Sequence, residues 1–354
     1  MNATDDAVLL ERRGALGLIT LNRPRAINAL THEMVRLVSD ALDRWEHDDG
    51  VRTVAITGAG DRGLCAGGDV VALYEAATVG PPEPAVEFWA DEYTMNARIA
   101  AYPKPVVAIQ DGLVLGGGIG ISAHASHRIV TERSRLGFPE VTIGFVPDVG
   151  GTWLLSRSPG ELGTRLALTG AHVGAADAIL VGLSDHFVPA ADVAALLGRL
   201  ESEEPDSAVA AVRADPGPAP LAAERELTDR VFARTTVPEI LSALGTDGPE
   251  RAIRETIAAK SPTALTVTLE AVRRARALDS LEEALEQEFR VSTRHLTTPD
   301  FTEGIRAQVV DKDRSPAWRP ATLGDVTADL VETFFQESPW SSFRSVRVPS
   351  KETS

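Results

Sequence analysis

Two glycine-rich stretches constrain this chain more than any other feature: Cys65-Ala66-Gly67-Gly68-Asp69, and further on Gly116-Gly117-Gly118. Glycine admits left-handed turns and lets bare backbone approach a neighbour, so such stretches belong at tight junctions or around a ligand. Peptide N–H groups aimed at one point hold an oxygen that becomes negative during acyl chemistry. Gly68 and Gly117 are the candidate donors. Gly116 to His124 is expected to start a helix, so Gly117 gains from unbonded first-turn N–H groups and the positive end of the dipole. The alternative for any single glycine is a turn with no further role; two such loops in one chain favour the oxyanion reading.

Two acidic residues downstream supply the chemistry to match. Glu140 follows Pro139 and the strand-like Arg135 to Phe138, and Phe138, Val141, Ile143, Phe145 and Val146 surround it in sequence with apolar groups. Such a setting raises a carboxyl pKa and suits a general base, whereas a lone Glu is more often a surface residue. Asp148 lies in Pro147-Asp148-Val149-Gly150-Gly151. It reads either as a turn residue capping a helix from about Gly151, or as a second carboxyl that binds a substrate hydroxyl or moves a proton.

The pattern between these sites is α/β. Leu16–Leu21, Val51–Thr57 and Pro105–Ile109 are apolar strand candidates. Thr31 caps a segment in which Met34, Val38, Leu42 and Trp45 recur at helical spacing, and a helix containing Glu87, Glu92 and Arg98 follows the break at Gly80–Pro84. Residues 1–200 form the expected core. Residues 201–221, acidic and then rich in Pro and Gly, read as a linker, and 222–345 as a helical region.

With 354 residues and a formal charge of −16, the chain is large enough for a sizeable core and is not a nucleic-acid binder, which needs clustered cations. No stretch reaches membrane-spanning length, and Met1 to Arg13 lacks a basic segment followed by an apolar run, so neither a membrane anchor nor a targeting signal is expected. The single cysteine, Cys65, points to a cytoplasmic location and to a buried small hydrophobe ahead of a nucleophile. Gly118–Ala123 fits G-x-G-x-x-A, but the preceding strand ends too early for a dinucleotide turn. His124 and His127 lack a third ligand, so no metal is expected.

Taken with Ile19-Thr20-Leu21-Asn22-Arg23-Pro24, Asn28-Ala29-Leu30 and Lys104-Pro105, the glycine motifs resemble the crotonase (enoyl-CoA hydratase/isomerase) superfamily. Gly144-Phe145-Val146-Pro147-Asp148-Val149-Gly150-Gly151, Lys260-Ser261-Pro262-Thr263, Asp300–Arg306 and Asp311–Trp318 are similar to its 3-hydroxyisobutyryl-CoA hydrolase branch. The resemblance implies a ClpP-like spiral of ββα units with a C-terminal helical region near the active site. It places the oxyanion donors at Gly68 and Gly117, and CoA along Ala26, Ala66, Gly68, Asp69 and Val70. Glu92, Gly117, Glu140 and Asp148 are its substrate contacts.

Hydratases of the superfamily use a second glutamate where this chain has Gly120, which disfavours hydration. The function implied is hydrolysis of 3-hydroxyisobutyryl-CoA or a similar short 3-hydroxyacyl-CoA, of valine-catabolism type, with no cofactor because CoA is part of the substrate. An enoyl-CoA hydratase or isomerase, and a non-catalytic acyl-CoA-binding protein, are the alternatives. Relatives often form trimers or hexamers, so self-association is a further expectation.

Overall fold

A computed structural model describes residues 6–338 and Trp340. Residues 1–5 of the expected core, and 339 and 341–345 of the expected helical region, lie outside the described residues. Six strands form the main sheet, β1 (Val8–Arg13), β2 (Leu16–Leu21), β3 (Thr53–Gly58), β4 (Val106–Gln110), β6 (His127–Val130) and β8 (His186–Phe187), in the order β1-β2-β3-β4-β6-β8. The β1–β2 hairpin is antiparallel, and every later pairing is parallel, with Leu16 opposite Thr53 and Val54 opposite Val106. A second, two-stranded sheet pairs β5 (Leu113–Leu115) with β7 (Arg135–Gly137).

Both faces of the main sheet are covered at its centre, which explains why β2, β3 and β4 read as continuous apolar runs. Ile19, Leu21, Val54, Ile56, Val106 and Ala108 face one core, while the alternate residues Leu16, Leu18, Ala55, Val107 and Ile109 face another. Helix α1 (His32–Glu46) starts as expected: Thr31 accepts the Met34 N–H at 3.2 Å, and the stripe Met34, Val38, Leu42, Trp45 is buried. Helices α2 (Val70–Thr78), α3 (Glu83–Ala100) and α4 (Gly117–Gly120) follow the strands, and α5 (Gly151–Ser156) ends the segment carrying Glu140 and Asp148.

The stretch expected to be a linker is part of the packed body over its first half. After α6 (Leu162–Thr169) and α7 (Ala175–Leu180), helices α8 (Val193–Leu200) and α9 (Pro205–Ala210) cover the second face of the sheet. Ala208 and Val209 of α9 are buried there, and the Ala214 N–H donates to Phe187 O. The acidic residues that suggested a tether are the solvated side of this cover; 215–218 form an exposed crossing.

The remaining helices are α10 (Pro220–Ala223), α11 (Arg225–Phe232), α12 (Val237–Ala243), α13 (Gly248–Ala258), α14 (Pro262–Ala275), α15 (Leu281–His295), α16 (Pro299–Ile305) and α17 (Ala328–Glu332). Helix α14 packs on α5 and α6, α15 on α3 and α5, and α16 on α2 and the 3-10 turn Glu140–Ile143. The helical region thus packs against the elements that carry the glycine-lined cleft, and Phe301 of α16 reaches its lining.

Candidate active site

Backbone pairing brings the two glycine stretches together. The segment after β3 runs beside β5: Cys65 N–H donates to Leu113 O, and Leu115 N–H donates to Cys65 O. Leu30 donates to Gly67 O and accepts from Asp69 N–H, so the intervening Gly68 N–H is left over. Asn28, itself at φ 54°, braces this segment by donating from Nδ2 to Ala59 O and Gly63 O. On the other stretch, Gly116 adopts φ 46° and Ile119 and Gly120 bond back to its carbonyl. Among the described residues, neither the Gly68 nor the Gly117 N–H has an acceptor.

A Cβ placed on Gly117 would lie 3.2 Å from Gly68 N and 2.6 Å from Glu92 Oε1, and one on Gly118 would lie 2.5 Å from Cys65 O. Glycine is required here by close approach, not only by turn geometry. The helix expected over Gly116–His124 is a single turn, Gly117–Gly120, followed by turns. Its dipole is correspondingly small.

Three carboxyl side chains close on these amides. Glu140 opens the 3-10 turn, its Oε1 packed against Gly116 and its buried Oε2 without a hydrogen-bond partner among the described residues. Glu92 projects from α3, 2% exposed, with Oε1 against Gly117 and likewise unpartnered. Asp148 Oδ2 accepts from the Tyr93 hydroxyl at 2.8 Å, and Ser292 Oγ lies 2.8 Å from the same phenol oxygen. The capping role considered for the Asp148 side chain is not what it does: the cap position of α5 is Gly150, and only the Asp148 backbone carbonyl bonds there, to Gly151 N–H.

Burial dominates the electrostatics. It lifts Glu92 and Glu140 well above the usual carboxylate range, and the Asp148 charge lifts both further. Burial raises Asp148 to about 7 against the opposing bond from Tyr93. Like charges this close do not all ionise together near neutrality, so the cluster retains at least one proton.

The cleft encloses about 860 Å3 including its open mouth. Ala66, Gly68 and Val70 line it beside the carboxyls, while Trp89, Phe145 and Phe301 form its aromatic wall, with Trp89 stacked on Phe145 at 5.6 Å. Asp69 is paired with Arg23 at 3.2 Å and lines an adjoining cavity, not this one. Ala26 is exposed, and its turn is tied to the loop by the Ala66 N–H bond to Ile27 O. Burial pushes the Cys65 thiol up to about 12, an inert setting. His124 bonds Val149 O and His127 approaches Asp206, and no group of residues suited to a metal occurs among the described residues.

Sequence reasoning gave no role to Tyr93, Ser292, Glu288 or Val149. Glu288 accepts the N–H groups of Gly150 and Thr152, and the Val149 side chain fills the space at Gly120, where a Cβ would lie 2.6 Å from Val149 Cβ and 2.9 Å from Asn96 Nδ2. One signal was present. Glu288, Ser292 and His295 continue the Leu281–Leu285 stripe at helical spacing, polar residues where apolar ones belong.

Comparison with known proteins agrees with this geometry. Residues 16–335 match the family model for enoyl-CoA hydratase/isomerase. Curated relatives named 3-hydroxyisobutyryl-CoA hydrolase, mitochondrial, include those of Danio rerio, 38% identical over 93% of this chain and 89% of the relative, and of Homo sapiens, 36% identical over 94% and 89%. Solved structures include one titled carnitinyl-CoA dehydratase from Mycobacterium thermoresistibile, 49% identical with a TM-score of 0.92 over 95% of this chain and 98% of that one. Another, titled enoyl-CoA hydratase from Rhodobacter sphaeroides 2.4.1, is 42% identical with a TM-score of 0.88 over 93% and 97%. With the model spanning both the spiral core and the C-terminal helices packed against it, this chain belongs to the enoyl-CoA hydratase/isomerase family, the crotonase superfamily.

Proposed function

We propose that this protein is a CoA-thioester hydrolase that cleaves 3-hydroxyisobutyryl-CoA or a similar short 3-hydroxyacyl-CoA to CoA and the hydroxy acid. The observation that carries the reading is the pair of free amides at Gly68 and Gly117 facing three buried carboxyls. The thioester oxygen takes the two N–H bonds and gains charge as the carbonyl becomes tetrahedral. Glu140 removes a proton from the attacking water, or adds to the carbonyl itself to give a mixed anhydride that water then opens. Collapse of the tetrahedral species breaks the C–S bond, and the proton retained by the carboxyl cluster passes to the departing sulfur. Hydroxylamine trapping separates the two routes: only the anhydride leaves a hydroxamate on Glu140. Asp148 and Glu92 hold the 3-hydroxyl. No cofactor takes part in this scheme, and the cytoplasmic location and the place in valine breakdown belong to the same proposal; the curated relatives above are named mitochondrial.

A second reading is hydration or dehydration of an acyl-CoA, favoured by the titles of the two solved structures. Against it stands Gly120, whose surroundings are filled by Val149 and Asn96, so the second glutamate of a two-carboxylate hydratase has no place. Free-thiol release from 3-hydroxyisobutyryl-CoA, run beside hydration of crotonyl-CoA, decides. Thiol release with negligible hydration supports the hydrolase; the reverse supports a hydratase; binding of both esters without turnover reduces the protein to an acyl-CoA binder.

A further inference from the structure

The turn Asp148-Val149-Gly150 is an expensive one. Val149 at φ 54° and Gly150 at φ 82° are consecutive left-handed residues, and a β-branched residue seldom adopts that conformation unless its surroundings impose it. Helix α5 then begins without a cap from its own sequence. The missing acceptor comes from α15: Glu288, fully buried, takes the Gly150 N–H on Oε2 at 2.6 Å and the Thr152 N–H and hydroxyl on Oε1 at 2.8 and 2.5 Å. One helical turn further on, Ser292 meets Tyr93. The phenol proton is directed to Asp148 Oδ2, so the Ser292 hydroxyl donates to the phenol oxygen.

We propose that Glu288 and Ser292 are positioning residues for Asp148, fixing the turn that carries its backbone and the phenol that orients its carboxyl. The proposal rests on the hydrolase reading above. It assigns α15 a part in catalysis: one face of a C-terminal helix holds Asp148 from two directions. The groups facing Asp148 are Glu92 and Tyr93 from α3, Glu140 from the 3-10 turn, and Glu288 from α15, with His124 on the carbonyl of Val149. Burial lowers His124 to about 4, which leaves it neutral and donating from Nε2. Ser292 polarises Tyr93 and strengthens its bond to the carboxylate, which favours ionised Asp148; Glu288 acts through the turn whose N–H groups it accepts.

The test uses the full chain and two variants, Ser292→Ala and Glu288→Gln. Both are expected to lower kcat for 3-hydroxyisobutyryl-CoA by about tenfold to a hundredfold, the scale of a misplaced catalytic group, with KM little changed. The acid limb of kcat/KM should move to higher pH in Ser292→Ala, where the phenol loses its donor and its bond to ionised Asp148 weakens. A loss of packing alone gives no such shift. Hydrogen exchange adds a readout independent of turnover: peptides covering 148–156 should exchange faster in Glu288→Gln than in wild type at a temperature where both are folded. Should Glu288→Gln not fold, Ser292→Ala, which removes one oxygen, carries the kinetic test alone. Wild-type kcat and an unmoved pH profile in Ser292→Ala, or wild-type protection of 148–156 in a folded Glu288→Gln, overturns the proposal. Wild-type protein that releases no thiol overturns the hydrolase reading instead, and the exchange experiment still judges the turn.

Discussion

Glu140 sits where a carboxyl is hard to ionise, and the cause is visible: an Oε2 with neither solvent nor a partner among the described residues, beside a second acid. A base so placed is strong once ionised, so activity should rise with pH through a range above that of ordinary carboxylates, opposite in sense to a site needing a protonated acid alone. Replacing Glu140 with Gln keeps the shape and removes the base; kcat should fall about 10²- to 10⁴-fold while CoA-ester affinity stays near wild type, read by thiol release and calorimetry. Near-wild-type turnover removes Glu140 from the mechanism. Asp148→Asn should be milder on plain acyl-CoA than on the 3-hydroxy ester, because an amide still meets the Tyr93 hydroxyl but handles the substrate hydroxyl differently; equal losses on both esters contradict that role. For Gly117→Ala, the added methyl lands 2.6 Å from Glu92 Oε1, in the space where the thioester oxygen is to sit, and thiol release should drop about 10²- to 10³-fold.

At the level of elements, Gly120 carries the clearest prediction. Installing glutamate there to restore a hydratase pair should fail, because Val149 and Asn96 already occupy the space; crotonyl-CoA hydration should stay at background and the melting temperature should fall. Measurable hydration would mean that the turn at Val149 yields easily. The same turn shows what a sequence does and does not reveal. Strand β2, helix α1 with its Thr31 cap, and the burial of Glu140 were legible because each follows from local pattern or neighbouring apolar residues. The pairing of Gly68 with Gly117 was legible only as two motifs, since their contact depends on Cys65 lying beside Val114. The link from Asp148 through Tyr93 to Ser292 spans 199 residues at its longer step, and no periodicity encodes it. Residues 201–214 misled because acidic residues on one side of a short helix look like a solvated tether, while the apolar face they protect, Ala208 and Val209, is too short to register.

For the molecule as a whole, the buried acids set a dependence of stability on pH. Asp148 and Glu288 have native pKa values raised to about 7 and about 8, whereas in the unfolded chain they titrate near 4. Between those limits the native state holds protons that the unfolded state has lost, so stability is fully present below about pH 4 and is given up as pH rises through 7 to 8. The formal net charge of −16 acts in the same direction at the acid end of this range, because repulsion among surface carboxylates grows as they ionise. Salt separates the two contributions: at about 0.5 M the surface term is largely screened and the buried one is not. The protein should therefore melt several degrees lower at pH 8.5 than at pH 6 even in high salt, a few kcal/mol corresponding to a shift of that size. Asp148→Asn removes one of the responsible groups, so the variant should melt higher than wild type at pH 8.5 and show a smaller gain at pH 6. If wild type melts at the same temperature at both pH values in high salt, the acids ionise without penalty, and the base strength claimed for Glu140 loses its physical source.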